Sequence, residues 1–186
     1  MPPKADNRTR LVQAAQKMTY RRGFHHATLA DIAREARVPL GNVYYYFKTK
    51  EEIGDAVVDR LLSQVRATLE SCEKPGSPKE SLCASVDAVV ASKDALSKGG
   101  CPVGSLCTEL HKEGGTLAGK ATVLFEKQLT WMERKFKQCG RTADARRLAV
   151  HLLSALQGVS LLAHSFHDSE LVAGETVALK KWIRAL

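Results

Sequence analysis

One stretch of the sequence decides the fold: TLADIAREARVPLGNVYYYFKTKEEI, residues 28–53. Thr28 and Asp31 have the spacing of a capping box, which predicts a short helix of about two turns. Pro39 is compatible with the first turn of a helix, so a further helix is expected from about residue 39 or 40 to residue 46. Because only a few residues separate the two helices, the stretch predicts a helix-turn-helix.

The apolar residues of this stretch are spaced to hold the two helices together. In a helix-turn-helix, the first helix fixes the angle at which the second enters a DNA major groove about 12 Å wide. The residues expected to form the small core that fixes this angle are Ile32, Ala33, Ala36, Val38, Val43 and Phe47. The residues then expected to face outward are Leu40, Gly41, Asn42, Tyr45 and Tyr46.

The flanking sequence predicts helices only. Apolar residues recur at helical spacing over about residues 8–22, 50–72, 117–138 and 142–167, with shorter helices over about 82–90, up to 111 and over 179–186. Gly99–Gly104 and the pair Gly114 and Gly115 are expected to be loops. Since alternation of the kind found in strands is missing, we expect an all-α protein of roughly nine helices.

The positive charge is concentrated near the N-terminus. The chain has 186 residues and a formal net charge of +8, and residues 1–50 hold ten Lys or Arg against three Asp or Glu, a net charge of +7. An excess confined to one end is typical of a module that binds a polyanion, joined to a nearly neutral body. A basic surface that is merely solvated is the alternative.

The stretch resembles a known family of regulators. Its end, Tyr-Tyr-x-Phe-x-x-Lys-x-x-Ile at residues 44–53, is similar to the N-terminal domain of the TetR (tetracycline-repressor) family of bacterial transcription regulators. The resemblance covers about 50 residues. It implies a helix-turn-helix DNA-binding domain at residues 1–49 and a ligand-binding and dimerisation domain at residues 50–186. The implied function is a homodimeric regulator, expected to be a repressor, which an unknown small-molecule effector releases from operator DNA.

Carried over by position, the resemblance assigns contacts with DNA. It implies base contacts for Leu40, Gly41, Asn42 and the outward tyrosines, and phosphate contacts for Thr28, Tyr45 and Lys50. The full set expected at the DNA is Thr28, Leu40, Gly41, Asn42, Tyr44, Tyr45, Tyr46, Lys48 and Lys50. The chemistry agrees, because Asn can pair with an adenine edge and Tyr can contact a thymine methyl or a phosphate. Arg37 stands at the turn position where the family commonly has Gly.

The C-terminal helices are expected to supply the dimer, since one small module makes too few contacts to select a single site. The interface is expected at Leu152, Leu156, Val159, Phe166, Leu179, Trp182 and Ile183, with a wholly intramolecular core as the alternative. The effector pocket is expected to involve Cys101, Leu106, Cys107, Phe125, Trp131 and His164, each of which could instead be an ordinary core residue.

Other classes of protein are disfavoured by the sequence. The longest apolar region, residues 148–163, is interrupted by polar residues, and the N-terminus lacks the apolar segment of a secretory signal, so we expect a cytoplasmic protein with no membrane partner. Five cysteines without a CxxC pair predict neither a disulfide framework nor a metal site, and no cofactor is expected. Two alternatives stay open: an enzyme with Cys101 or Cys107 as nucleophile, and an architectural DNA-binding protein without an effector.

Overall fold

The chain folds into helices throughout the part that a computed structural model describes, residues 6–186. These residues form ten helices: α1 Asn7–Arg22, α2 Leu29–Ala36, α3 Leu40–Tyr46, α4 Lys50–Ser71, α5 Pro78–Val90, α6 Lys93–Gly99, α7 Pro102–Glu113, α8 Thr116–Gln138, α9 Ala145–Phe166 and α10 Glu170–Ala185. The all-α fold class is thereby confirmed. Residues 1–5, which include Lys4 of the basic segment, lie outside the described residues.

The described helices differ from the expected ones between α5 and α7. The short helix α6 is additional and raises the number within residues 6–186 to ten. It has only seven residues and follows α5 after Ala91 and Ser92, so its sequence carries too few turns for a periodic pattern. The loop expected at residues 99–104 is shorter, because Pro102 already begins α7.

The chain divides into two compact units. The N-terminal unit extends to Ser63 and also includes Ser105–Val123, and the C-terminal unit comprises Gln64–Gly104 and Leu124–Leu186. Helices α4, α7 and α8 therefore each contribute residues to both units. The N-terminal unit contains α1–α3, the first part of α4 and most of α7.

The core expected around the helix-turn-helix is present in the N-terminal unit. All six predicted core residues are buried, together with Leu11, Ala15 and Met18 of α1. The turn is closed by Arg37, which adopts the left-handed conformation with φ 53° and ψ 46°. Its N–H and that of Val38 bond to carbonyls of the last turn of α2, the Val38 N–H donating to Ala33 at 3.0 Å. A non-glycine residue in this conformation costs about 1–2 kcal/mol, which explains why glycine is favoured at such a position.

Gly54 marks a close approach within the N-terminal unit. A Cβ at this position would lie 2.7 Å from Cζ of Phe24 and 3.0 Å from Cδ1 of Leu117. The absence of a side chain lets α4 pack directly against the Phe24 ring. This ring belongs to the connection between α1 and α2, so Gly54 helps to set the position of the helix-turn-helix on α4.

The C-terminal unit is built on a separate apolar core. Its largest cluster joins residues of α5, α8, α9 and α10, including Leu82, Phe136 and Leu148. Five residues expected at the dimer interface belong to the cores of this unit and are buried within the single chain: Leu152, Leu156, Val159, Leu179 and Ile183. For these five residues the burial favours the alternative of an intramolecular core, because side chains already enclosed by their own chain have little surface to offer a second copy.

Helix α9 has the length and hydropathy of a membrane span, since its best 18-residue window has a mean hydropathy of 1.3. One side of α9, however, fills the core of the C-terminal unit, as Leu148, Leu152 and Leu156 show. Such a buried core helix has the same composition as a short membrane span, so α9 gives no indication of a membrane.

Candidate functional site

Helix α3 carries most of the residues expected at DNA on one exposed face. Its inner side is fixed by Val43 and by Phe47, both fully buried or nearly so. The exposed face carries Leu40, Gly41 and Asn42 in the first turn and then Tyr44 and Tyr45, which are 47% and 78% exposed. Tyr46 is half-buried, and its ring meets that of Tyr45 edge-on at a centroid distance of 5.0 Å. The face therefore combines an amide, aromatic rings and hydroxyls on a firmly anchored helix.

Two threonines cap the helices beside α3, and the first of them, Thr28, is arranged as the sequence predicts. The Thr28 hydroxyl accepts the Asp31 N–H at 3.1 Å and donates to the Asp31 carboxylate at 2.7 Å. At α4, the Glu52 N–H donates to the Thr49 hydroxyl at 3.2 Å. Each cap satisfies backbone donors that a helix start leaves unpaired, and so fixes where α2 and α4 begin.

The two lysines differ in how firmly they are held. The Lys48 ammonium is exposed and donates to the carbonyl of Tyr44. The Lys50 ammonium donates to the His25 carbonyl at 2.6 Å and lies 4.8 Å from the centroid of the Phe24 ring. Lys50 thus also ties the α1–α2 connection to the start of α4, a structural role that its sequence position does not indicate.

Glu109 of α7 is a further residue of this site that sequence patterns did not reveal. Its carboxylate accepts the N–H groups of Phe24 at 2.7 Å and His25 at 2.6 Å. One turn later, Glu113 lies 2.8 Å from Nδ1 of the exposed His25 side chain. We call these contacts the α7 clamp. Because carboxylates bind backbone N–H groups strongly, the clamp fixes the connection that precedes the helix-turn-helix.

The segment that forms this site matches a family of known proteins. Residues 11–57 match the family described as "Bacterial regulatory proteins, tetR family". This segment of the chain is similar to the TetR family. Over 56 residues it is 39% identical to the HTH-type transcriptional regulator TtgR of Pseudomonas putida, a match that covers 30% of this chain and 27% of TtgR. This match spans about a quarter of the length of TtgR, so it concerns the helix-turn-helix segment.

Two further comparisons extend beyond that segment. The chain is 28% identical over 197 residues to the HTH-type transcriptional repressor ComR of Escherichia coli, which covers 95% of this chain and 90% of ComR. The crystal structure of a TetR transcriptional regulator from Legionella pneumophila has a TM-score of 0.85, with 20% sequence identity and coverage of 98% of both chains. The second likeness shows that the TetR fold extends through the C-terminal unit.

The residues expected at the effector site are distributed over both units. Leu106 and Cys107 are buried in the N-terminal unit, where the Cys107 thiol donates to the Ala121 carbonyl at 3.3 Å. The other four belong to the C-terminal unit: Cys101, Phe125, Trp131 and His164. Cys101 packs against the small cluster of Leu96, Val159, Ala163 and Val172, whereas Phe125 packs against the larger core.

The cysteines show different surroundings. Cys101 precedes α7, and its sulfur accepts the Gly104 N–H at 3.4 Å. Burial raises the pKa of the Cys72, Cys83 and Cys139 thiols, which favours the unreactive protonated form. Among residues 6–186, no group of three or more His, Cys, Asp or Glu side chains is placed to hold a metal ion.

A groove in the C-terminal unit includes Trp131, one of the six expected effector residues. It has a volume of about 330 Å³ and lies between the end of α4 and the second half of α8. We call it the α4–α8 groove, and its lining residues are Arg66, Leu69, Glu70, Glu73, Lys127, Thr130, Trp131 and Arg134. The charged residues of this groove were not identified from the sequence, because they come from two segments about 60 residues apart and have ordinary surface spacing.

An apolar face remains exposed on α9 and α10. Phe166 and Val177 are 70% and 67% exposed, values far above those of ordinary core residues. Four more apolar residues are exposed on the same two helices: Val150, Leu161, Leu162 and Leu171. We call these six residues the α9–α10 face. Of the seven residues expected at the dimer interface, only Phe166 belongs to it, while Trp182 is half-buried beside His151 and Phe136.

Proposed function

We propose that this protein is a dimeric DNA-binding transcriptional repressor of the cytoplasm, which leaves its operator when a small molecule binds the C-terminal unit. The observation that carries the proposal is the exposed α3 face, held by a buried core within the segment that matches the TetR family. The named relatives TtgR and ComR are a regulator and a repressor, which supports the same class of function. An enzymatic role has no comparable support.

In the proposed complex, α3 enters the major groove. Asn42 would hydrogen-bond a base edge, while Leu40 and Tyr45 would contact apolar surfaces such as thymine methyl groups. Thr28 and Lys48 would contact phosphates on either side, supported by the basic character of residues 1–50. Lys50 would approach a phosphate while it keeps its bond to the His25 carbonyl, since an ammonium has three donors.

We infer that the α9–α10 face forms the dimer interface. Exposed apolar patches of this kind mark interaction surfaces on soluble proteins, and two packed helices from each copy would give a four-helix bundle. A two-fold dimer places its recognition helices in successive major grooves, about 34–36 Å apart. Burial of Phe166, Val177 and Leu161 would provide the apolar core of that interface.

The effector would act by favouring the conformation that does not fit DNA. Helix α4 runs unbroken from Lys50 to Ser71, so a displacement at its C-terminal end would be carried to the residues that precede it. The α7 clamp offers a second route, because Glu109 holds the α1–α2 connection. A coupling of about 1–3 kcal/mol between the two binding events is typical of such proteins.

Footprinting on the DNA that flanks the protein's own gene tests this proposal. We expect a protected segment with two-fold symmetry. Asn42→Ala should relax base preference at one position of each half-site, whereas Lys48→Ala should weaken binding to all sequences and reduce the salt slope by about one. Lys98→Ala, which removes an exposed lysine of α6, is the matched control and should change neither.

The same measurement distinguishes the alternative without an effector. An architectural DNA-binding protein would protect DNA with no sequence preference, and Asn42→Ala and Lys48→Ala would then weaken all complexes equally. That result, or the absence of any protected DNA at low ionic strength, would contradict the proposed function.

A further inference from the structure

The α4–α8 groove has more positive than negative charge available to a ligand. Three cationic side chains line it, Arg66, Lys127 and Arg134, together with the carboxylates of Glu70 and Glu73. Within residues 6–186, Arg66 and Lys127 make no ion pair with any carboxylate. Both are exposed at the groove, so they remain free to bind an anion.

Glu73 does not compensate these charges, because its carboxylate is already occupied. It accepts the indole N–H of Trp131 at 2.7 Å and an Arg134 N–H at 2.8 Å, and it also pairs with the ammonium of Lys135. The Lys135 side chain is only 7% exposed, so its pairing with Glu73 is part of the protein interior. Glu70 is the remaining acid of the groove, and Arg66 with Lys127 outnumber it.

The floor of the groove is apolar and rigid. Trp131 is buried, and its orientation is fixed at one end by the hydrogen bond to Glu73 and near its ring by Lys135, whose Nζ lies 5.6 Å from the ring centroid. Leu69 of α4 adds apolar surface beside it. A site of this size, with an apolar floor and a few convergent charges, is suited to a small organic molecule.

We propose that the α4–α8 groove binds a small organic anion that carries a flat ring system and a carboxylate, and that this anion is the effector. The carboxylate would lie between Arg66 and Lys127, since guanidinium and ammonium groups form strong hydrogen bonds with carboxylates. The ring would lie against Leu69 and the accessible edge of Trp131. This inference rests on the proposed function only in naming the ligand as an effector; the binding itself does not require DNA.

Calorimetric titration of the full-length protein with three probes of similar size tests the charge requirement. The probes are 2-naphthoate, the neutral 2-naphthol and the cationic 2-naphthylmethylammonium ion. We expect 2-naphthoate to bind at least about tenfold more tightly than either of the others, because only it can pair with the groove cations. Equal affinity for 2-naphthol, or no binding of 2-naphthoate, would overturn the proposal.

Variants locate the site. The double variant Arg66→Gln, Lys127→Gln should lose about tenfold or more in affinity for 2-naphthoate, and Lys98→Ala should lose none. In a Trp182→Phe background the remaining tryptophan is Trp131, so its fluorescence should change on addition of 2-naphthoate. Unchanged affinity in the double variant, with an unchanged circular dichroism spectrum, would show that the anion binds elsewhere and would overturn the assignment.

DNA binding separates this inference from the proposed function. If 2-naphthoate binds through Arg66 and Lys127 and also releases the protein from the footprinted DNA, both are supported. If 2-naphthoate binds but no specific DNA is found, the α4–α8 groove is supported as an anion-binding site and the proposed function is contradicted. If the protein binds an operator from which bound 2-naphthoate does not release it, the effector role is overturned.

Discussion

Gly54 shows how one residue decides a close contact between elements. Alanine in the interior of a helix usually stabilises by about 1 kcal/mol relative to glycine. At Gly54 the added Cβ would meet the Phe24 ring at 2.7 Å, a separation that forces the ring or the helix to move. We expect Gly54→Ala to lower the free energy of unfolding by about 1–3 kcal/mol, the usual cost of overpacking.

Gly119 of α8 provides the matched control for this prediction. A Cβ at Gly119 would have nothing within 4 Å, so Gly119→Ala should raise the free energy of unfolding by about 1 kcal/mol. Urea denaturation of both variants measures the two effects. If both substitutions changed the free energy of unfolding in the same direction, the contact with Phe24 would not determine the effect of a side chain at Gly54.

The pair of Glu73 and Lys135 is a second case at the scale of single residues. Glu73→Gln leaves the Lys135 ammonium buried without its counter-charge, which we expect to lower the free energy of unfolding by about 3 kcal/mol. The double variant Glu73→Gln, Lys135→Met should recover much of this loss, because the buried charge is then absent. A double-mutant cycle in urea measures the coupling.

The pH dependence of the same pair follows from the pKa of Glu73. The hydrogen bond from Lys135 holds the pKa of the Glu73 carboxyl below its ordinary value of 4.5. Its contribution to stability is therefore complete above the ordinary pKa and is lost as the pH falls through the lowered one. The difference in unfolding free energy between wild type and Glu73→Gln should shrink below pH 4.5. A difference that stays constant down to acid pH would contradict this.

At the scale of elements, the α7 clamp joins a helix to a connection far away in the sequence. Glu109→Gln removes the negative charge that accepts the Phe24 and His25 N–H groups, so hydrogen exchange of these two amides should accelerate. Glu113→Gln is the control, because within residues 6–186 the Glu113 carboxylate pairs only with the exposed side chain of His25. Exchange measured by NMR should be nearly unchanged there. Equal protection of the two amides in Glu109→Gln would show that other contacts hold the connection.

The elements that the sequence predicted well are those with local signals. The start of α2 and the core of the helix-turn-helix followed from spacing. The signals were the capping residue Thr28 and the apolar residues of α2 and α3, which contact neighbours three or four positions away. Helix α6 was missed because a seven-residue element carries little periodic information. Three residues of α9 expected at the dimer interface, Leu152, Leu156 and Val159, lie on the side that its own chain covers. The sequence does not indicate which side that is, because α9 is apolar on both sides.

At the scale of the whole molecule, the features that could not be predicted depend on packing between distant segments. The α7 clamp joins residues 84 and 85 positions apart, and the ion pair of Glu73 with Lys135 joins residues 62 positions apart. No local pattern marks such pairs, since a surface glutamate has the same spacing whether it is paired or not. The family resemblance identified the DNA-binding segment, but the charges of the α4–α8 groove belong to this chain and emerged only with the fold.

The proposed dimerisation is the property of the whole molecule on which operator selection would depend. Phe166→Glu places a charge in the middle of the α9–α10 face, where the proposed interface would have to desolvate it, so we expect the variant to be monomeric at micromolar concentration. Val123→Glu is the control, because Val123 is also apolar and exposed but lies on α8, outside that face. Analytical ultracentrifugation of both variants measures the outcome.

The monomeric variant should also lose specific operator binding, because two linked DNA-binding domains bind far more tightly than one. It should keep its weak, salt-dependent attraction to any DNA. A Phe166→Glu protein that remains dimeric would move the interface to another surface of the chain.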